Sequence, residues 1–416
     1  MKVRIGLIGC GVVGTGIVHL LAQNGERIAQ RDGVELEIAK ILVGNKDKPR
    51  KGVDPALVTD RLEDLLEDES ISMVLEAMGG VDPGLSYAQA CLRAGKHYIT
   101  ANKELMAKHW EELNAAAREG NATLSFEASV AGAVPVIRML TGSLRPNNIT
   151  SVMGIINGTT NYILSQMDQF GTGYKAALAK AQELGYAEAD PTADVEGFDA
   201  AYKLCILCGL AFGARVKVDD VLREGISKLS AMDIEMAHEL GYVIKLLGIG
   251  KQHNGGVEAR VHPVMIPKTN PLASVGGPFN GVLIGADAAG DLMLYGRGAG
   301  DLPTASAMVS DAINVAQGKA AELVEFTPAL VVNDFSCGYY IRTLAADTPG
   351  VLHGVSGIFA KHGVSIESCV QKGQGESAVP LIFVTHKSRE ADIVRAVAEI
   401  DQLDYISIGS VIRVEK

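Results

Sequence analysis

The stretch Val3–Gln23 reads VRIGLIGCGVVGTGIVHLLAQ. Val3 to Ile8 is a short apolar run, suited to a buried parallel strand. Gly9-Cys10-Gly11-Val12-Val13-Gly14 follows, a G-x-G-x-x-G, and then the apolar residues Ile17, Val18, Leu20 and Leu21 fall at helical spacing. Strand, glycine turn and helix in that order are the context a dinucleotide fingerprint requires. Gly9 permits the tight turn, Gly11 lets a pyrophosphate approach the backbone, and Gly14 lets helix pack on strand. The helix N-terminus, with Val12 and Val13, then faces the anion. Ile5 to Ala22 carries no formal charge and follows Lys2 and Arg4, the outline of a leader or a membrane span. Gly6, Gly9, Gly11, Gly14 and Gly16 speak for the glycine turn instead. The reading is therefore a cytoplasmic, soluble protein.

Working outward, Leu36–Val43 is the second strand. Its tip selects the cofactor, because a carboxylate there would bind a ribose 2′-hydroxyl. The tip reads Gly44-Asn45-Lys46-Asp47-Lys48-Pro49-Arg50, with no carboxylate at the strand end and three cations after it. These cations suit a 2′-phosphate or are a solvated loop, so NADP and NAD both stand. Further units alternate: strands at Ser72–Ala77, Lys96–Thr100 and Ala122–Glu127, helices at Arg61–Glu67, Pro83–Ala94 and Glu104–Glu119. That alternation predicts a doubly wound parallel sheet. Gly79, Thr100, Lys103 and Glu127 lie at or just past strand C-termini, where such sheets bind ligands. A lysine opening a helix is unfavourable near the dipole, which makes Lys103 either a poor cap or a functional residue.

The chain has 416 residues, which points to two or three domains. A hydrophobic content of 47% and 47 glycines fit a well-buried α/β protein with many tight turns. The net charge is −11, with no basic stripe, which argues against nucleic acid as a partner. Cys205 and Cys208 form a C-x-x-C inside an apolar helical run, without a second Cys or His pair, and read as core thiols.

From about Ala131 the pattern changes. A helix is expected over Ala133–Leu140 and a strand over Asn148–Asn157. The turn Gly158-Thr159-Thr160-Asn161-Tyr162 then opens a helix, offering N–H groups and hydroxyls to a polar ligand or simply capping it. A helix at Tyr174–Leu184 precedes the stretch Ala181–Lys203, AQELGYAEADPTADVEGFDAAYK. Asp199 and Lys203 are four residues apart and share a helix face. Asp190 and Asp194 are expected to shape the turn into that helix. The apolar run from Leu204 places the lysine at the mouth of a buried helix. Strands within 242–250, 257–266 and 282–294 complete a mixed sheet. The loop Gly296–Gly300 leads to a helix ending near Val315 that returns to the first unit.

Residues 321–337 read as a linker, with domains expected at 1–130 (joined by 300–320), 131–300 and 338–416. The last has a βαββαβ order, a ferredoxin-like unit expected to fold independently.

The residues Ala181, Gly185, Tyr186, Asp190-Pro191, Asp194-Val195, Gly197, Asp199 and Lys203 resemble the signature of homoserine dehydrogenases. Thr100–Lys103, Asn157–Tyr162 and Gly298–Ala305 agree, and Asp347-x-Pro349-Gly350-Val351-Leu352 resembles an ACT domain. The resemblance implies reversible oxidation of L-homoserine to L-aspartate 4-semialdehyde with NAD or NADP. It implies Lys203 as acid/base, Lys103 as second active-site lysine, and Glu188 and Asp199 as substrate ligands with Gly158 and Thr159. Gly185 and Gly300 join the cofactor contacts. It implies a monovalent cation, sodium or potassium, at Glu127, Val130, Gly132 and Val134. Asp347, Gly350, Val351 and Leu352 become regulatory positions for an amino-acid effector, threonine, on a homodimer or homotetramer. Many NADPH-using members carry arginine where this chain has Gly44.

Overall fold

The computed structural model describes residues 1–50, 52–253, 255–321, 324–373 and 378–415. Six parallel strands, β1 (Lys2–Ile8), β2 (Glu35–Leu42), β3 (Val58–Thr59), β4 (Ile71–Glu76), β5 (His97–Thr100) and β6 (Leu124–Ser125), lie in the order β3-β2-β1-β4-β5-β6. This is the doubly wound order of a dinucleotide fold, whose ligand crevice opens where the order reverses beside β1. Ile5 and Leu7 are fully buried on one face, and helix α1 (Val12–Asp32) follows β1 across the glycine turn. The Asp301–Ala316 helix closes that layer: Ala305, Met308 and Ala312 share a core with Ile5, Leu7 and Ile17. Gly16 lets the two helices touch, since a Cβ there would meet the Asp301 carbonyl oxygen at 2.7 Å.

A second sheet runs, in spatial order, through Gly290–Arg297, Phe279–Ala286, Ile149–Ile155, Tyr242–His253, Gly256–Pro267, Ile406–Val414, Ser336–Ala345, Val379–Thr385 and Ile366–Gln371. Its first five strands are antiparallel, and the apolar Phe198–Phe212 helix lies against them. The last four strands, with helices Val351–Lys361 and Glu390–Ile400, form the ferredoxin-like unit around Tyr339, Phe359 and Phe383.

That unit, expected to fold independently, is joined to the second sheet in the folded chain. Its last strand pairs in parallel with Gly256–Pro267 through Val264↔Arg413 and Met265↔Val414, so one sheet passes through both units. Charged side chains lock the seam. Asp233 is fully buried and accepts from Arg342 Nε at 2.8 Å and Ser410 Oγ at 2.6 Å. Arg260 bridges Glu258 and Glu415. The expected linker is likewise laid down: Thr327–Pro328 pairs with Ala214–Arg215, and Phe326 stacks on Trp110 at 4.1 Å.

Several elements are shorter than the periodicity suggests. The Glu104–Glu119 helix breaks at His109 into Lys103–Lys108 and Trp110–Glu119. The strand over Ala122–Glu127 keeps only Leu124–Ser125, because Glu127 turns into a 3-10 helix. The Ala133–Leu140 helix is reduced to Val136–Arg138 running into a π-turn. Its entry is organised by the Glu127 carboxylate, which accepts from the Ile137 and Arg138 N–H groups at 3.0 and 2.8 Å. Cys205 and Cys208 are buried free thiols. Among the described residues no helix is long and apolar enough to cross a membrane.

Candidate active site

A cleft of about 720 Å³ opens between the two sheets at the C-terminal ends of β1, β4 and β5. Separate stretches of chain line it, among them Val12-Val13 of the glycine turn, Met78-Gly79, the Asn157–Thr159 turn, Leu184–Tyr186 and the Arg297–Gly300 loop. Lys103, Asp199 and Lys203 sit together in its wall.

The glycine turn is built for a close backbone approach. Gly9 adopts φ +87°, and a Cβ on Gly14 would lie 2.2 Å from the Gly9 carbonyl oxygen. A Cβ on Gly11 would meet nothing within 4 Å, and no side chain caps α1. The first N–H groups of a long helix are thus left for an anion in the cleft. Val12 and Val13 line the same space. This cradle fits the pyrophosphate of a dinucleotide.

Thr100 is placed otherwise than expected. It is fully buried and does not line the cleft. Its hydroxyl donates to the buried Glu76 carboxyl and accepts from Asn102 N at 2.9 Å. Glu76, which carries no sequence signal, accepts from Met78 N at 2.7 Å and so holds the Met78-Gly79 turn. Burial pushes its carboxyl up to about 7, against the Thr100 and Met78 hydrogen bonds.

The polar heart of the cleft is Asp199. Its Oδ2 accepts from Lys203 Nζ at 2.6 Å, and Lys103 Nζ stands 3.3 Å from Oδ1. Lys203 also donates to the Ile156 carbonyl at 2.8 Å and its side chain is 12% exposed, whereas that of Lys103 is 43% exposed. Burial works to raise the Asp199 carboxyl, but the two ammonium groups and the hydrogen bonds outweigh it and hold it at about 2. Adjacent ammonium groups would be expected to lower each other's proton affinity. At Lys103 the reverse holds: Asp199 between them raises it, outweighing burial.

Asn157 joins this group to the polar turn. Its amide nitrogen donates to Asp194 Oδ1 at 2.7 Å and Asp199 Oδ2 at 2.9 Å, while its oxygen caps the next helix through Thr160 N at 2.8 Å. The turn therefore both caps a helix and faces the cleft. The Thr159 hydroxyl, expected to serve a ligand, donates to the Tyr186 carbonyl at 2.7 Å and ties the turn to Gly185-Tyr186. Gly158 lets Pro278 close in, since a Cβ would lie 2.9 Å from the Pro278 carbonyl oxygen. Glu188 is exposed at the cleft rim, and Gly185 and Gly300 line it.

Asp194, expected only to shape the turn, also lines the cleft, and burial with the nearby Asp199 charge raises its carboxyl. Asp190 does shape the turn, accepting from Thr192 Oγ1 at 2.6 Å. Asn157, Arg297 and Pro278 line the cleft as well, although sequence reasoning assigns them no role there. Asn157 is findable, since it precedes a polar turn; the other two carry no local signal.

The residues expected to hold a cation lie beside this cleft. Glu127 is 4% exposed, and burial with the neighbouring Asp311 pushes its carboxyl up to about 7. The Val130 and Gly132 carbonyls accept no hydrogen bond from a described residue, while that of Val134 is taken by Val136 N at 2.8 Å. Among the described residues no three His, Cys, Asp or Glu side chains are grouped to hold a metal. One carboxylate with free main-chain carbonyls remains a hard-oxygen donor set, which suits a cation of low charge.

Such a glycine cradle, opening at the switch point beside a buried ion-paired cluster, defines a dinucleotide-dependent oxidoreductase. The family model described as homoserine dehydrogenase, NAD binding domain, matches residues 9–127, homoserine dehydrogenase matches 135–313, and an ACT domain matches 339–404. A homoserine dehydrogenase of Corynebacterium glutamicum is 44% identical, covering 100% of this chain and 96% of that protein. One from Synechocystis sp. is 43% identical, with 100% of both covered. The solved homoserine dehydrogenase of Thiobacillus denitrificans superposes with a TM-score of 0.94 at 38% identity, covering 100% of this chain and 99% of that one. A hyperthermophilic archaeal homoserine dehydrogenase in complex with NADPH gives 0.64 at 26% identity, covering 78% of this chain and 100% of that one. The chain belongs to the homoserine dehydrogenases, nicotinamide-dependent enzymes that interconvert L-homoserine and L-aspartate 4-semialdehyde, and it carries an ACT domain.

Proposed function

We propose that Lys203 is the proton donor and acceptor at the substrate oxygen, with Asp199 and Lys103 as its partners. The observation that carries this is the buried Lys203–Asp199 contact of 2.6 Å beside the glycine cradle. The nicotinamide, when bound, supplies the hydride chemistry. Lys203 as ammonium gives a proton to the aldehyde oxygen, and as amine takes it back from the alcohol. Lys103, held charged by Asp199, stabilises negative charge on that oxygen. Glu188 and Asp194, both in the cleft wall, offer carboxylates to the substrate ammonium. Lys203→Ala lowers kcat by at least ~100-fold, the usual size of an acid–base contribution. Full turnover in the folded variant removes the assignment.

Both NAD and NADP serve as cofactor. Arg50 donates to the Asn45 and Lys48 carbonyls and Lys46 pairs with Asp60, so these two cations of the Gly44–Arg50 loop are already engaged. Discrimination between NADP⁺ and NAD⁺ in kcat/KM stays within about tenfold, the size of one charge-assisted contact. A larger ratio in initial rates would show a dedicated 2′-phosphate site.

A sodium or potassium ion held by Glu127 with the Val130 and Gly132 carbonyls would supply fixed positive charge under the cleft. Threonine would act at the exposed Asp347–Gly350 turn, where Gln371 donates to Asp347 at 2.9 Å. A threonine titration that alters neither activity nor thermal stability removes that role. Both outer strands of the long sheet, Gly290–Arg297 and Ile366–Gln371, present edges that a second copy can cover. Light scattering distinguishes a homodimer or homotetramer from a monomer.

A further inference from the structure

We infer that Arg223 is a positioning residue for the Asp199–Lys203 pair, and that the Leu222–Ile226 segment straps the ACT domain to it. The inference rests on the reading of Lys203 as the reacting group.

The segment is wedged between two cores. Leu222 and Arg223 pair in parallel with Arg260 and Val261, and neighbouring residues of a strand point to opposite faces. Leu222 packs on the core of the C-terminal unit. Arg223 faces the other way, donating to the Glu196 carbonyl and lying 3.4 Å over the Phe198 ring. Between those two contacts stands Gly197, in the left-handed region at φ +80°, where a Cβ would touch Val261 at 3.1 Å and Arg223 at 3.4 Å. Gly197 is the turn from which the Phe198–Phe212 helix starts, and Asp199 is the second residue of that helix.

The strap is fastened on both sides. Ile226 N donates to the Val195 carbonyl and Glu224 N to the Val261 carbonyl, each at 2.8 Å. Gly225 lies so close that a Cβ would be 2.4 Å from the Val195 oxygen. Toward the ACT domain, Glu224 pairs with Arg413 at 2.8 Å, and Arg413 also holds Glu390. A displacement of the last ACT strand therefore bears, through one ion pair and two residues of chain, on the turn that aims Asp199. Arg223 touches neither the cleft nor the glycine cradle, so its effect passes through the helix start alone.

The test compares Arg223→Ala, Arg223→Lys, Phe198→Leu and Lys203→Ala in the full chain. Measured are kcat, KM for homoserine and cofactor, the pH profile of kcat, and Tm. Misplacing a catalytic group costs up to about 100-fold. Arg223→Ala is expected to lower kcat at least about tenfold and displace the pH profile, with cofactor KM unchanged. Arg223→Lys restores part of the rate by keeping a donor for Glu196, and Phe198→Leu, which spares every charge, shows a smaller loss of the same kind. Loss of turnover in Lys203→Ala with wild-type kcat and pH profile in both Arg223→Ala and Phe198→Leu overturns the proposal alone. Full turnover in Lys203→Ala overturns its premise. If Arg223→Ala does not fold, an unaltered pH profile in Phe198→Leu and Arg223→Lys overturns the proposal.

Discussion

Asn157 donates its side-chain amide to the Asp199 carboxylate at 2.9 Å, joining residues 42 positions apart in sequence. The same nitrogen reaches Asp194, so one neutral donor separates two carboxylates that would otherwise face each other. Asn157→Ala removes both bonds and the helix cap. We expect a stability loss of about 2–3 kcal/mol, from a cap and a charge-assisted bond, read from urea unfolding. kcat should fall with it by about tenfold, and an unchanged rate would mean that Asp199 holds its place without this bond.

Two glycines of the nucleotide turn should fail in different ways. Gly14→Ala drives a methyl into the Gly9 carbonyl and lowers Tm even without cofactor. Gly11→Ala meets open space, so Tm without cofactor stays unchanged while cofactor KM rises about tenfold or more as the methyl occupies the anion's place. Equal behaviour of the two variants would place the phosphates elsewhere.

Glu76 sets a pH dependence of opposite sign to a salt bridge. Its folded carboxyl titrates at about 7 and its ordinary value is 4.5. Between those values the folded state keeps a proton that the unfolded chain has released, so stability falls as pH rises, by at most about 3 kcal/mol. Glu76→Gln mimics the protonated form. It should raise Tm at pH 8, with the gain shrinking toward pH 4.5 and absent below; a constant gain at all pH values would assign the effect to packing.

Arg342→Met leaves the fully buried Asp233 carboxylate without its cation. Breaking one side of such a pair costs about 3–5 kcal/mol. The double variant Asp233→Asn with Arg342→Met should lose less than the two single losses added together, because the stranded charge is gone. Strict additivity in urea titrations would show that the seam does not depend on this pair.

What is legible along the chain is what is local. The glycine turn, the alternation of strands and helices, and the Asp199–Lys203 spacing each lie within one element or its immediate neighbour, and each is where the periodicity places it. Lys103 stands out in the sequence for its poor fit at a helix start. Its true partner, Asp199, lies 3.3 Å away on another helix, and no sequence pattern names such a meeting. Thr100 stands at the right strand end, but the residue that occupies its hydroxyl is Glu76 on the neighbouring strand. The shortened elements around Glu127 have the same origin. A buried carboxylate that caps a helix turn ten residues later overrides the local preference for strand.

The sheet shared by the second and third units has a mechanical consequence. Two bodies joined by a tether can swing, but two that share hydrogen-bonded strands can only twist together or slide along the seam. Here the seam is two backbone pairs long, Val264↔Arg413 and Met265↔Val414, flanked by the ion pairs Arg260–Glu415 and Glu224–Arg413. Any signal leaving the ACT domain in this chain is therefore a small shear, transmitted without a hinge and limited in size by how far those few charged contacts can slip before they part.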